Sequence, residues 1–228
     1  MTKWGFVALL ALVGCIEKEK MEVPPAVACE SVESTLNTAI GGSENRLAEE
    51  DWVHFEDSIA PTSQPATILA DQLNKIIKLI QVGTTTPPVY EIRSLETTIS
   101  YKNGQQQKET REVVEQGPTT FALCPSSSAV SYHGLGAGQT KVSALQYKDS
   151  CGSFVDCKIT VTHMNFDQLI TFPDGTQEAA KYHLVLSAEV PYAGRFLETC
   201  VTQGYEVNGQ KIPATRCKRV RNFGFKTE

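Results

Sequence analysis

Catalytic signatures are the most visible absence in this sequence. It contains no Gly-x-Ser-x-Gly elbow and no His-Glu-x-x-His helix. Its only histidines are His54, His133, His163 and His183. A Ser/His/Asp site gathered from distant residues stays open, but surface or packed histidines are the stronger reading. Basic excess is lacking too. The net charge of −5 argues against broad nucleic-acid binding. After the first fifteen residues there is no apolar run of membrane-spanning length.

The first fifteen residues carry the strongest signal present. Lys3 is followed by an almost unbroken apolar run, Trp4 to Val13, and then by Leu12-Val13-Gly14-Cys15. A membrane span needs about 20 apolar residues, and charges begin at Glu17. A charged start, a short apolar core and a small residue before the cut fit a cleaved signal. The last four residues resemble the lipobox of bacterial lipoproteins. That resemblance implies cleavage after Gly14, acylation of Cys15 and attachment to a bilayer, with acyl chains such as palmitate. Each buried methylene contributes about 0.8 kcal/mol, and two chains already anchor stably. Ile16 rather than Asp after the cysteine implies, by the enterobacterial sorting rule, the outer membrane of the cell envelope. The resemblance covers the export segment and carries no fold.

The cysteines agree with export. Without Cys15 there remain Cys29, Cys124, Cys151, Cys157, Cys200 and Cys217, an even number suited to an oxidising compartment. The best-argued pair is Cys200–Cys217. Asn208-Gly209 lies midway between them, and a two-residue type I′ turn there makes Val207 face Gln210. Counting outward, Glu206 meets Lys211, Tyr205 meets Ile212, Thr202 meets Thr215, and Glu198 meets Arg219. Cys200 then meets Cys217 at a non-hydrogen-bonded position, where side chains are closest. Pro213 falls where its missing N–H costs no ladder bond. Leu197, Val201, Tyr205, Ile212 and Val220 share one face, and the disulfide lies on the other, polar one. Local spacing suggests Cys151–Cys157, which leaves Cys29 with Cys124.

The expected organisation is a signal peptide over 1–14 and a lipidated, Pro-rich tether over 15–28. A helical segment over 29–83 and a disulfide-bonded antiparallel β domain over 84–228 follow. Val32, Leu36 and Ile40 have helical spacing, stopped by Gly41-Gly42. Ser63 to Val82 reads as a second helix, with Leu69, Leu73, Ile76, Ile77 and Ile80 as its stripe. Beyond Pro87-Pro88 the pattern alternates. Tyr90–Lys102 and Gln105–Glu115 flank Asn103-Gly104, a hairpin signal that makes Thr97 meet Thr110 and Glu96 meet Arg111, with a polar tip projecting into solvent. Further strands are expected at Thr119–Cys124, Gln139–Lys148, Phe154–Met164, Asp167–Phe172 and Gln177–Val190. The fold class is mainly β, an antiparallel sandwich or partly open barrel with one or two N-terminal helices.

Other constellations are weak. Glu49, Glu50, Asp51, Glu56 and Asp57 lack the alternating oxygen ligands of a calcium loop and read as a solvated face. The run from His133 to Lys141 has glycines but no Gly-Lys-Ser/Thr order, so a flexible loop is favoured over a phosphate loop. Cys151, Cys157 and His163 have the wrong spacing for structural zinc. The tail from Lys218 to Lys226 is basic, suited to anionic envelope surfaces or to protecting an outer strand from aggregation. No metal or cofactor is expected. The function favoured is a non-enzymatic envelope lipoprotein, a structural or protein-interaction subunit with an envelope protein partner. A glycan or small-ligand binding module with a concave aromatic pocket is the first alternative, and a hydrolase with a dispersed site is the second.

Overall fold

The computed structural model describes residues 24–41, 47–62, 65–85, 88–102, 104–117, 124, 130–143, 158–207 and 210–224. Cys15, the lipobox, Cys151, Cys157, the Asn208-Gly209 turn and most of Thr119–Cys124 lie outside them. The protein is mainly β. Among the described residues one α-helix, α1 (Cys29–Ala39), accompanies ten strands: β1 (Ala26–Val27), β2 (Trp52–Pro61), β3 (Thr67–Val82), β4 (Val89–Lys102), β5 (Gln105–Gly117), β6 (Val130–Ser143), β7 (Lys158–Thr171), β8 (Gln177–Leu186), β9 (Phe196–Val207) and β10 (Gln210–Gly224).

All ten strands form one antiparallel sheet in the order β1-β6-β7-β8-β9-β10-β2-β3-β4-β5, which is not closed into a barrel. It consists of two up-and-down runs, β2 to β5 and β6 to β10, joined where β10 pairs with β2. The sheet curls. Val53 and Phe55 of β2 share a core cluster with Ile159 and Val161 of β7, although three strands separate β2 from β7. The β8–β9 connection belongs to this cluster through Val190, and Gly194 of the same connection abuts both Val53 and Val190.

The helix lies inside the curl. Val32, Leu36 and Ile40 are buried against Tyr132 of β6, Met164 and Phe166 of β7, and Leu184 and Leu186 of β8. An isolated helix of eleven residues is marginal in water, and α1 has no side-chain N-cap. Tertiary burial of three aliphatic side chains, each contributing about 1.5–3 kcal/mol, therefore supplies what local sequence does not. Cys29 in its first turn is also bonded to Cys124.

Where a helix is expected over Ser63–Val82, Thr67–Val82 is strand β3, and among the described residues of the 29–83 region only α1 is an α-helix. β3 pairs with β2 on one side and β4 on the other. Its register shifts between Ile76 and Lys78. Such a bulge inserts one residue and resets the two-residue alternation. Apolar residues before and after it then fall at three- and four-residue spacing and imitate a helical stripe. Ile76 is buried, whereas Leu73, Ile77 and Ile80 are exposed.

Three further expectations change. Ala26-Val27 at the end of the tether pairs with β6. The Gly-rich run from His133 is strand β6 with a register shift between His133 and Gly136, not a loop. The two strands expected at Phe154–Met164 and Asp167–Phe172 are, from Lys158 to Thr171, the single strand β7, which turns at Pro173-Asp174-Gly175 into β8; residues 154–157 lie outside the described ones.

The hairpin registers agree residue by residue. Cys217 faces Cys200, Thr215 faces Thr202, Arg219 faces Glu198 and Pro213 faces Gly204. The Cys200–Cys217 disulfide joins strands whose Cα atoms are 4.1 Å apart there. In the other hairpin Thr97 faces Thr110 and Glu96 faces Arg111, with the threonine hydroxyls 3.1 Å apart. Its tip, residues 104–110, is exposed.

Candidate functional site

The concave side of the β2–β5 half grows from a single cross-strand row. Phe223 pairs with Val53, Val53 with Asn74, Asn74 with Glu96, and Glu96 with Arg111. The row therefore runs from a fully buried aromatic to an exposed guanidinium across five strands. Above it lies a cavity of about 450 Å³, lined by Ile40, Phe55, Gln72, Asn74, Glu96, Arg111, Val113, Glu115, Tyr192, Arg195, Phe196 and Lys218. Pockets of this volume suit small molecules.

The far wall is the connection between β8 and β9. It is tied at several points. Ser187 N–H donates to the Arg195 carbonyl at 2.9 Å, and Ser187 Oγ donates to the Thr160 carbonyl at 2.8 Å. Gly194 N–H donates to the Pro191 carbonyl, closing a 3-10 turn over Tyr192–Gly194. Gly194 abuts Val53, where an added Cβ would lie 3.1 Å from the valine. Tyr192 and Arg195 are thereby held against β2.

Charge in the cavity is unevenly matched. Glu96 is buried, but its carboxylate is taken by Arg111, whose Nε donates at 2.7 Å. Lys218 extends over the Phe55 ring, its Nζ 4.3 Å from the centroid. Lys218 keeps solvent contact at the mouth, yet desolvation by the surrounding protein holds its pKa below the ordinary lysine value, with Glu96 and Asp57 opposing that shift. Glu115 is pushed up by desolvation.

Arg195 is the outlier. It is 2 % exposed, its Nε and Nη2 have no hydrogen-bond partner among the described residues, and its guanidinium rests 4.8 Å from the Tyr192 ring centroid. Burial pulls its pKa down to about 10, opposed only by Tyr192, so it stays protonated at neutral pH. A desolvated ring face contributes about 2 kcal/mol to a cation, whereas desolvating an ion costs several. Asn74 Oδ1, on the sheet side of the cavity, is also buried without a donor among the described residues. No sequence pattern marked Arg195, because its burial depends on a curl that brings β5 and the β8–β9 connection together.

The outer face of the same half is different in kind. Among the described residues nine large apolar side chains are exposed, and eight of them lie on β3, β4 and β5. Leu73, Leu95 and Val114 share the outward face by register, interspersed with Lys75, Arg93 and Glu112. Among the described residues β5 is also one of the two edges of the sheet, almost wholly exposed along its length.

The residues singled out from the sequence are scattered. His54 approaches Asp71 at 3.5 Å. His133 contacts Ser131 Oγ at 3.1 Å, but its other nitrogen faces the Pro24 carbonyl, not a carboxylate. His163 contacts Thr140, and His183 contacts Asn165. The acidic run is a solvated face only at Glu49 and Glu50, which are exposed; Asp51, Glu56 and Asp57 are buried or half-buried. Glu49 accepts from Leu79 N–H, Glu50 pairs with Lys75, and Asp51 is buried. Glu56 is buried and pairs with Arg221, and Asp57 pairs with Arg216. The basic tail is not on an outer strand: β10 lies mid-sheet between β9 and β2. Arg219 pairs with Glu198 at 2.9 Å. Glu198, Cys200 and Cys217 stand close enough for a metal, but the sulfurs are bonded to each other and offer no thiolate.

Fold and site together define a curled, single-sheet β protein with a helix and a cavity inside the curl. The chain matches no protein-family model, no curated protein and no solved structure.

Proposed function

We propose that this protein is a lipid-anchored envelope lipoprotein that acts without catalysis, as an interaction subunit held at a bilayer through acylated Cys15 in the outer membrane. The observation that carries the interaction role is the β3–β5 wing. Its open edge and its exposed apolar residues coincide on one half of the sheet. An open strand edge accepts an added strand from a protein partner, and exposed apolar patches mark interaction surfaces. The disulfides suit an oxidising compartment. A second reading, small-ligand binding, is favoured by the cavity between the wing and the β8–β9 connection.

The test has two arms. Cys15→Ser should release the protein from membranes into the soluble fraction; retention on membranes overturns the anchor. Val114→Lys together with Leu95→Lys should abolish co-elution with a partner protein on size exclusion of gently solubilised membranes, with melting unchanged. A complex that survives both substitutions overturns the wing as its docking surface.

A further inference from the structure

We propose that the cavity inside the curl binds a small organic monoanion: a carboxylate that pairs with Arg195, carried on an apolar body that rests among Phe55, Tyr192 and Phe196. The assignment deepens the small-ligand reading and rests on it. A guanidinium is a planar fork that matches a carboxylate with two parallel N–H···O bonds. In Arg195 two nitrogens of that fork, Nε and Nη2, are buried and unpaired on a wall of the cavity. The local structure does nothing to move this charge to water. Instead, the connection carrying it is fastened to β2 and β7. A cation fixed in place without its counterion is a preorganised receptor for one, since the cost of desolvating it is met before binding.

The other groups narrow the class. Glu96 and Glu115 line the same space, so a dianion such as a phosphate monoester would meet repulsion that a single negative charge largely escapes. Glu96 is neutralised by Arg111, and Lys218 at the mouth adds a second positive group that draws an anion inward. Phe55, Phe196 and Val113 supply the apolar lining that favours a hydrophobic body over a bare inorganic ion.

Benzoate and benzamide are the probes: the same ring and size, charged and neutral. TROSY spectra of the full chain in detergent should show saturable benzoate shifts at the amides of Tyr192 to Phe196 and of Lys218. Benzamide should bind at least about tenfold more weakly, a 1.4 kcal/mol difference. Arg195→Met should bring benzoate down to the benzamide level, and Lys108→Gln at the hairpin tip should leave it unchanged. Equal affinity for the two probes in the wild-type protein overturns the anion assignment and leaves a ligand pocket indifferent to charge. Saturable binding of neither probe overturns the assignment and the small-ligand reading together. The wild-type pair decides the matter even where Arg195→Met fails to fold.

Discussion

Gly117 closes the curl on Tyr192. A Cβ placed on this last residue of β5 would lie 2.7 Å from the tyrosine Oη and 2.8 Å from Ile92 Cδ1. The open edge of the sheet and the connection before β9 thus touch across the cavity, and only a residue without a side chain permits it. Gly117→Val should destabilise the fold by about 1–3 kcal/mol, the range for overpacking, and move the Tyr192 ring signals. A melting curve and an aromatic NMR spectrum that both match the wild type would show that the wing is not pressed against that ring.

The two described disulfides should contribute unequally. Cys29–Cys124 closes a separation of 95 residues and Cys200–Cys217 one of 17. Chain entropy assigns about 4.7 kcal/mol to the longer loop and about 3 kcal/mol to the shorter. Paired serine substitutions, compared by denaturant titration, should rank in that order. The reverse ranking would mean that Cys29–Cys124 joins segments already held together by other contacts.

Leu36 is 1 % exposed at the centre of the helix contact with β6, β7 and β8. Leu36→Ala should cost about 2–5 kcal/mol. Hydrogen exchange should show α1 amides losing protection before the β9–β10 ladder does. Uniform loss across the sheet would show that helix and sheet unfold as one unit.

The turn between β7 and β8 should respond to acid. Asp174 Oδ1 accepts from Thr176 N–H at 2.9 Å and from Thr176 Oγ1 at 2.6 Å, and these bonds hold its carboxyl below the usual value. A carboxyl depressed in the folded state binds its proton less readily there than in the unfolded chain. Its contribution is therefore complete above the unfolded value, about 3.9, and fades as pH falls through the lower folded one. Exchange at the Thr176 amide should accelerate in that window, and Asp174→Ala should abolish the dependence. A pH-independent exchange profile would assign the turn's order to Gly175 alone, whose φ is +81°.

Arg195→Met should not weaken the ligand-free protein. Replacing buried ionic groups with apolar ones of similar volume is often neutral or stabilising by about 1–4 kcal/mol, and here the ion has no carboxylate to lose. Thermal melts without added anion should place the variant at or above the wild type. A clear drop would mean that the Arg195–Tyr192 contact is itself structural.

Where turn chemistry fixed the geometry, the sequence was readable to single residues. Asn-Gly dipeptides set the registers that bring Cys200 to Cys217 and Glu96 to Arg111, because pairing then follows by counting. Helix α1 was readable from Val32, Leu36 and Ile40, where no bulge interrupts the period. β3 was not, because the extra residue near Ile77 breaks the alternation that identifies a strand. The cavity was invisible for another reason. Its walls come from β5, from the β8–β9 connection and from the end of α1. Neither a periodicity nor a turn reports a curvature summed over ten strands.

The pairing of β10 with β2 has a consequence for biogenesis. The segment that splices the two halves of the molecule is translated after every other described strand. A polypeptide threaded across a membrane from its amino end would emerge as two unfinished meanders, each with a raw flank, until residues near 214–224 arrive. A chain cut before β10 would be no trimmed version of this protein, only two halves with no seam between them.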